Sequence, residues 1–202
     1  MHSGGWWGVA FVLGLLVFGG MGSLPTAAQS GEDITAYYAA HRQLIIIQQI
    51  IGVLLVVPIL AFARTLDHRT RSLGGQTGRW IMSAALLLVA AEIATNVLPV
   101  VLAAMPDASP ATAHGLTLAA DLVDAVLFAA IAFFSLAAAL AEPVWVRGLG
   151  LAVVALTLIR AFASPVGMTV LDAVAPIAFI AYVLVLSTRI IATDRARRVV
   201  ST

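Results

Sequence analysis

The sequence contains no cysteine and no lysine, so all eleven of its basic residues are arginines. Without cysteine the chain can form no disulfide, thiolate metal site, iron–sulfur cluster or covalently attached c-type haem. Without lysine it can form no Schiff base, which excludes retinal proteins and enzymes that use pyridoxal phosphate. No dinucleotide fingerprint, P-loop, HExxH or GxSxG motif is present either, so no cofactor is expected.

Charged residues are scarce as well. They make up 10% of the 202 residues, whereas hydrophobic residues make up 61%, and the mean hydropathy is strongly positive. A soluble domain of this length needs far more polar surface than that. The composition therefore predicts an integral membrane protein whose main partner is the lipid bilayer, and no nucleic-acid partner is expected.

Six apolar runs are long enough to cross a hydrocarbon core, which takes about 20 helical residues. They are residues 6–23, 43–64, 80–104, 115–141, 148–164 and 168–191. They predict an all-α, polytopic membrane bundle of six transmembrane helices that forms a single domain over residues 1–202. The first run has a rival interpretation as a signal peptide, because "LPTAAQS" follows it; the absence of arginine before it and the retained Met1 favour an uncleaved helix.

Arginine is concentrated in three segments outside the runs, namely 64–79, 142–147 and the C-terminal tail. The other three connections carry Arg42 alone, together with several acidic residues. Because cytoplasmic loops of membrane proteins are enriched in arginine and lysine, the first group is predicted to lie inside. Both termini are then cytoplasmic.

The polar residues of the spans lie mostly in the half that this orientation places outside. From the inner face, Glu92 is ~18 Å into the third span at 1.5 Å per residue. From the outer face, Asp121 and Asp124 are ~9 and ~14 Å into the fourth span by the same rise. Arg160 is predicted about one turn from the outer end of the fifth span, and Asp172 about one turn into the sixth.

Helical spacing indicates which of these groups share a face. Four residues of the fourth span form one stripe: His114, Thr117, Asp121 and Asp124. Glu92 and Asn96 share a face of the third span. Because an ionised carboxylate facing lipid costs several kcal/mol, these faces should point into the bundle. We expect a polar vestibule that is open to the outside, floored near Glu92 and closed below by apolar residues.

Eight residues are candidates for ligand or proton binding: His41, Glu92, Asn96, His114, Asp121, Asp124, Arg160 and Asp172. Asp121 is expected to pair with Arg160, whereas Asp124 has no basic residue obvious at its level. The alternatives are structural: an ion pair at the interface, an interhelical hydrogen bond for Glu92 and Asn96, and solvated rim histidines. No metal site is predicted, since the spacing of the acids matches no metal motif.

The function that follows is binding or transport, in which an acidic cavity takes a cation, a proton or a small amphipathic molecule from the outer face. One alternative is an enzyme of the lipid phase that uses a buried carboxylic acid, Glu92 or Asp124, on an isoprenoid or acyl substrate. A third is an accessory subunit of a membrane complex. The ligand and the oligomeric state stay open, and a homo-oligomer is compatible with the sequence.

Three stretches carry a family resemblance: "YYAAHR" before the second span, "ILAFARTLDHR" at its end, followed by an arginine-rich loop, and "EPVWVRGLGLAVVALTLIRA" joining the fourth and fifth spans. With these stretches, residues 35 to 190 resemble uncharacterised multi-helix membrane proteins of actinobacteria, akin to a six-helix domain-of-unknown-function family. The resemblance implies six spans in a bacterial cytoplasmic (inner) membrane. It implies no activity.

Overall fold

A computed structural model of the chain describes residues 3–72, 78–163 and 171–200. These residues form seven α-helices and contain no strand, which confirms the all-α prediction. The helices are α1 Gly5–Gly20, α2 Gly31–Leu54, α3 Val56–Ser72, α4 Gly78–Ala104, α5 Pro110–Leu140, α6 Val144–Ala163 and α7 Val174–Val200.

Five helical segments of the described chain are long and apolar enough to cross a membrane: Gly31–Ser72, Trp80–Ala104, Pro110–Leu140, Val144–Ala163 and Val174–Ala196. The protein is therefore a membrane-embedded helical protein. The remaining apolar helix, α1, has 16 residues, which is shorter than the roughly 20 residues that a span usually takes. A sixth span and the orientation of the termini stay predictions.

The segment Gly31–Ser72 combines α2 and α3, which are separated at Leu55. Pro58 causes the interruption, because it has no amide hydrogen to donate to the carbonyl of Leu54. The backbone hydrogen bonds resume at once on either side, from Leu55 N to Ile51 O at 3.1 Å and from Ile59 N to Leu55 O at 3.3 Å. The two helices thus follow each other as one apolar segment.

Two helices begin well before the apolar runs that predicted them, because capping residues set where they start. The side chain of Ser30 accepts a hydrogen bond from the amide of Asp33 at 3.1 Å and caps α2. Ser109 accepts from the amide of Thr112 at 3.2 Å, and Pro110 follows as the first residue of α5. Residues 43 and 115 therefore mark where the apolar runs begin, whereas the helices themselves begin at Gly31 and Pro110.

The last helix begins later than predicted. Residues 171–173 form a turn and α7 starts at Val174, while the predicted start at 168 lies outside the described residues. Pro176 is then the third residue of the helix, where its missing amide hydrogen breaks no intrahelical bond. The prediction that Asp172 lies one turn inside this helix is wrong, since Asp172 belongs to the turn before it.

The helices pack in a ring that follows their order in the chain. α1 contacts α3 and α7; α2 and α3 contact α4; α4 contacts α5, α5 contacts α6, and α6 contacts α7, while α2 also contacts α5 across the ring. The ring therefore closes between the first helix and the last. We call the end that carries residues 21–30, residues 105–109 and the last turn of α6 the site end, and the opposite end the arginine end.

The ring closes tightly toward the arginine end. Gly8 of α1 leaves no room for a Cβ beside the hydroxyl of Ser187 and the ring of Phe62, so only glycine permits this approach. Arg69 pairs with Asp194 at 3.0 Å and joins α3 to α7. The aromatic rings of Phe11 and Phe134 both pack edge-on against Phe179 in the buried core.

Candidate functional site

A cavity of about 960 Å³ lies inside the ring at the site end. Six of the eight predicted site residues line it: Glu92, Asn96, Asp121, Asp124, Arg160 and Asp172. They come from α4, α5, the last turn of α6 and the turn before α7. A volume of this order accommodates an organic molecule of several hundred daltons.

Arg160 is the centre of the polar wall. Its Nη2 lies 3.1 Å from Oδ2 of Asp124, and its Nε lies 2.5 Å from Oδ1 of Asp172. Its guanidinium carbon lies 4.7 Å from the centre of the Phe128 ring, in the geometry of a cation–π contact. Only 9% of Arg160 is exposed. This one side chain therefore ties α5, α6 and the turn before α7 together.

The predicted ion pair between Arg160 and Asp121 is wrong, and so is the prediction that Asp124 lacks a basic partner. Depth along the helices placed Arg160 level with Asp121. The long arginine side chain instead extends one turn further toward the arginine end, where it pairs with Asp124 and lies over the ring of Phe128. Asp121 uses its Oδ2 to accept a hydrogen bond from the backbone amide of Ala27 at 2.8 Å.

The two histidines lie outside the cavity lining. His114 places Nε2 3.1 Å from the carbonyl oxygen of Ala27, the same residue that Asp121 binds. His114 and Asp121, which share the predicted stripe, therefore both bind the backbone of the connection between α1 and α2. His41 is exposed, with Nδ1 3.0 Å from the carbonyl oxygen of Tyr37 and its ring stacked on the Tyr37 ring.

Glu92 and Asn96 share a face of α4, as the spacing predicts. The Nδ2 of Asn96 donates to the carbonyl oxygen of Glu92 at 2.6 Å and to its Oε1 at 3.1 Å. These hydrogen bonds lie within α4, and an interhelical hydrogen bond for the pair stays a prediction. Asn96 still marks the contact with α2, because it packs against Gly52 so closely that a Cβ there would overlap its Oδ1.

Several buried polar atoms of the lining have no hydrogen-bond partner within the described part of the chain. They are Gln49 Nε2, Asn96 Oδ1, Thr117 Oγ1, and Nε and Nη1 of Arg160, whose Nε contacts Asp172 as an ion pair without a hydrogen bond. A buried polar atom without a partner costs about 1–3 kcal/mol. These atoms are buried within the cavity wall, so polar groups in the cavity reach them only if the wall rearranges.

The two ends of the cavity differ in chemistry. The lining holds four carboxyl groups, and Arg160 is the one basic residue among the described residues that form it. Toward the arginine end, the wall consists of apolar side chains such as Phe11, Ile59, Leu88 and Phe179. The cavity is thus acidic near the site end and apolar deeper in the bundle.

Residues 22–28, which we call the strap, lie across the cavity at the site end. The chain leaves α1, reaches Asp121 and His114 of α5 on the opposite side of the ring, and returns to α2. Gln48 donates to the carbonyl of Gly22 at 2.8 Å, and the Tyr37 hydroxyl donates to the carbonyl of Ser23 at 3.0 Å. The vestibule is therefore crossed by a strap, where the sequence predicted an open mouth.

The strap and two of the residues that hold it, Gln48 and Tyr37, belong to the site but were not among the predicted candidates. Gln48 looks like a packing residue of α2, because nothing in its spacing shows that it binds loop carbonyls. Gly22 has a positive φ of 108°, a conformation that side chains rarely adopt. That glycine, together with the Gly19–Gly20 pair, is the signal in the sequence that the chain turns sharply after α1.

The fold and the cavity define a class: a membrane-embedded helical protein with a mixed acidic and apolar cavity near one end of the bundle. The chain matches no protein-family model, no curated protein and no solved structure in the comparisons made with each.

Proposed function

We propose that the protein binds a small amphipathic organic cation in this cavity. The proposal rests on one observation: a single cavity of about 960 Å³ has both an acidic wall and an apolar wall. A ligand with a positive group and an apolar body complements both walls at once. The packed apolar core beyond the cavity favours a binding protein over an open channel.

The charge of the lining supports a cationic ligand. Arg160 is already paired with two carboxylates, Asp124 and Asp172. The other two acids of the lining are bound to neutral donors: Asp121 accepts from the Ala27 amide and Glu92 from the Asn96 amide group. The lining therefore keeps a surplus of acidic groups, and a cation lowers the cost of holding them in a low-dielectric site.

The size and the donor set favour an organic cation over a metal ion. The described residues contain no group of three or more histidines and acids arranged to hold a metal. A hard divalent cation usually takes six or more oxygen ligands close around it. A cavity of this volume with apolar walls suits a molecule that fills it with carbon atoms.

The proposal includes a membrane arrangement. α1 serves as the sixth span, the arginine end faces the cytoplasm with both termini, and the site end lies outside a bacterial cytoplasmic membrane. The packing of α1 between α3 and α7 supports its role as a member of the bundle. Arg69, Arg71 and Arg147 at the arginine end support the orientation through the positive-inside rule.

A matched pair of ions tests the proposal: tetraphenylphosphonium and tetraphenylborate have the same shape and opposite charge. Equilibrium dialysis with the purified protein in nanodiscs, corrected for uptake by empty discs, measures binding of each. We expect saturable binding of the cation alone. Glu92→Gln and Asp121→Asn keep the hydrogen-bond acceptors and should each weaken cation binding about tenfold, the equivalent of about 1.4 kcal/mol.

Asp107→Asn is the control, since Asp107 is exposed in the connection 105–109 at the same end and does not line the cavity. It should leave binding unchanged. Equal saturable binding of the anion, or an Asp107→Asn effect as large as that of Glu92→Gln, would contradict a cation site in the cavity.

A further inference from the structure

We propose that the ligand enters the cavity sideways from the bilayer, through a gap between α1 and α7 at the site end, and that it is a single-chain amphiphile with a cationic headgroup. The charge of the headgroup rests on the proposed function, whereas the route rests on the packing of α1, α7 and the strap. The two parts can therefore fail separately.

The route along the bundle axis is obstructed. The strap is fastened to α2 through Gln48 and Tyr37, and to α5 through Asp121 and His114. Gln48 also donates to the carbonyl oxygen of Phe18 at 3.2 Å, at the end of α1. A ligand that arrived from water along the axis would have to break several of these hydrogen bonds, so a second opening is needed if the strap stays in place.

The second opening lies where α1 and α7 separate. The two helices are in contact from Gly8, which meets Ser187, to Phe11, whose ring centre lies 6.1 Å from that of Phe179 in the second turn of α7. Beyond Phe11, the cavity lining continues along α1 to Gly20 and along α7 back to Pro176. Among the described residues, cavity rather than side-chain packing therefore separates residues 16–20 of α1 from the first turn of α7.

The outer side of this gap faces the surroundings of the bundle. Leu16 lines the cavity and is nevertheless 57% exposed. Gly19 and Gly20 also line it and are exposed, and a Cβ added to either would meet no atom within 4 Å. In a membrane bundle, exposed apolar surface at this level is in contact with lipid. The cavity is thus continuous with the lipid phase along the last turn of α1.

The geometry also indicates how the amphiphile lies. Its cationic group would face Asp121 and Glu92, the two acids of the lining that do not pair with Arg160. Its alkyl chain would lie against Phe11 and leave through the gap into the bilayer. A ligand that is partly outside the cavity is not limited by the cavity volume, so its affinity should rise with chain length.

Tryptophan substitutions on α1 test the route. Gly19→Trp and Gly20→Trp place a large side chain into open space at the gap, so folding should be kept. Gly148→Trp is the matched control, because Gly148 of α6 is also exposed with no atom near an added Cβ, and it lies outside the lining. Near-native thermal unfolding midpoints of all three variants confirm that they are folded.

The probes are butyl-, octyl- and dodecyltrimethylammonium, which compete with tetraphenylphosphonium for the protein in nanodiscs, each corrected for partition into empty discs. We expect dodecyltrimethylammonium to bind most tightly to the wild type. Gly20→Trp should weaken it about tenfold, a loss comparable to about two buried methylene groups, and should change butyltrimethylammonium by less than about twofold. Gly148→Trp should leave the whole series unchanged.

The outcomes separate the two proposals. If dodecyl sulfate competes as well as the cation and Gly20→Trp weakens both, the cation preference is overturned and the lateral route is kept. If the cations bind with no dependence on chain length, or if Gly19→Trp and Gly20→Trp behave like Gly148→Trp, the lateral route is overturned and the proposed function is kept.

Discussion

Arg160 joins three segments of the chain through one planar group. The guanidinium donates a hydrogen bond to Asp124 through Nη2 and makes an ion pair with Asp172 through Nε, while its face lies on Phe128. A lysine has a single charged nitrogen and could not hold both acids with this geometry. The side chain therefore organises the polar wall as well as lowering its negative charge.

Arg160→Gln should destabilise the protein measurably. Removing one partner of a buried ion pair typically costs 3–5 kcal/mol, and because the side chains of Asp124 and Asp172 are 34% and 44% exposed, solvent screening reduces the expected loss to about 2 kcal/mol. Arg71→Gln is the control, since the Arg71 side chain is 58% exposed and pairs with the buried Asp67 within one helix, and it should contribute about 1 kcal/mol or less. Unfolding in mixed micelles measures both; equal losses would argue against a structural role for Arg160.

At the scale of single helices, the packing of α1 depends on the positions of its glycine residues. Gly8 lies against Ser187 and Phe62 with no room for a Cβ. A Cβ added to Gly19 on the same helix would have no other atom within 4 Å. The first glycine sets the distance between α1 and α7, and the second leaves the gap beside the cavity. One helix thus uses the same residue type for close packing at one end and for open space at the other.

Gly8→Ala should therefore lower stability by about 1–3 kcal/mol, the usual cost of overpacking a tight core. Gly19→Ala adds the same methyl group to the same helix and should be neutral or stabilising, because alanine favours helix by up to about 1 kcal/mol over glycine. Thermal unfolding of the two purified variants in one detergent compares them. A Gly8→Ala midpoint at or above that of Gly19→Ala would show that α1 does not pack as described.

The strap is the second element with a specific prediction. Asp121→Ala removes the acceptor for the Ala27 amide and His114→Ala removes the partner of its carbonyl, so either change should speed hydrogen exchange in residues 22–28. Asp121→Asn keeps an acceptor oxygen and should leave exchange near the wild-type rate. Mass spectrometry of peptides from this region provides the measurement, and equal exchange in Asp121→Ala and Asp121→Asn would mean that the hydrogen bond does not hold the strap.

Helical periodicity was enough to predict which polar residues face the interior, since Glu92 and Asn96 on α4 and Asp121 and Asp124 on α5 all line one cavity. The partner of Arg160 could not be predicted in the same way. Periodicity gives the direction of a side chain and its depth at Cα, but an arginine reaches a further turn along the bundle. The pairing therefore depends on side-chain length and on the neighbouring Phe128, which only the packed structure supplies.

The strap escaped prediction for a related reason. Its fasteners are contacts between backbone groups of residues 22–28 and polar side chains more than ten residues away along the chain. No local pattern encodes such pairs. Likewise, Asp172 was assigned to a helix because the apolar run continues through it, whereas α7 begins only at Val174.

At the scale of the whole molecule, the ring order explains why a cavity forms at all. Each helical segment packs on its neighbours in the chain, and α7 closes on α1. A ring of this size leaves a central space that side chains must fill. Large residues such as Phe62, Phe134 and Phe179 fill it toward the arginine end, whereas short α1 and the separation of α1 from α7 leave it open toward the site end.

The arrangement in the membrane can be tested on the whole protein, because a chain without cysteine gives a clean background for labelling. Single cysteines would replace Ser3, Ser72 and Asp107, of which Ser72 and Asp107 are exposed at opposite ends of the bundle. In intact cells an impermeant maleimide should label Asp107→Cys alone, and Ser3→Cys and Ser72→Cys only after permeabilisation, since arginine-rich loops stay in the cytoplasm. Labelling of Ser72→Cys in intact cells would reverse the orientation. Labelling of Ser3→Cys together with Asp107→Cys would show that α1 does not cross, which would leave five spans and place the gap between α1 and α7 outside the hydrocarbon core.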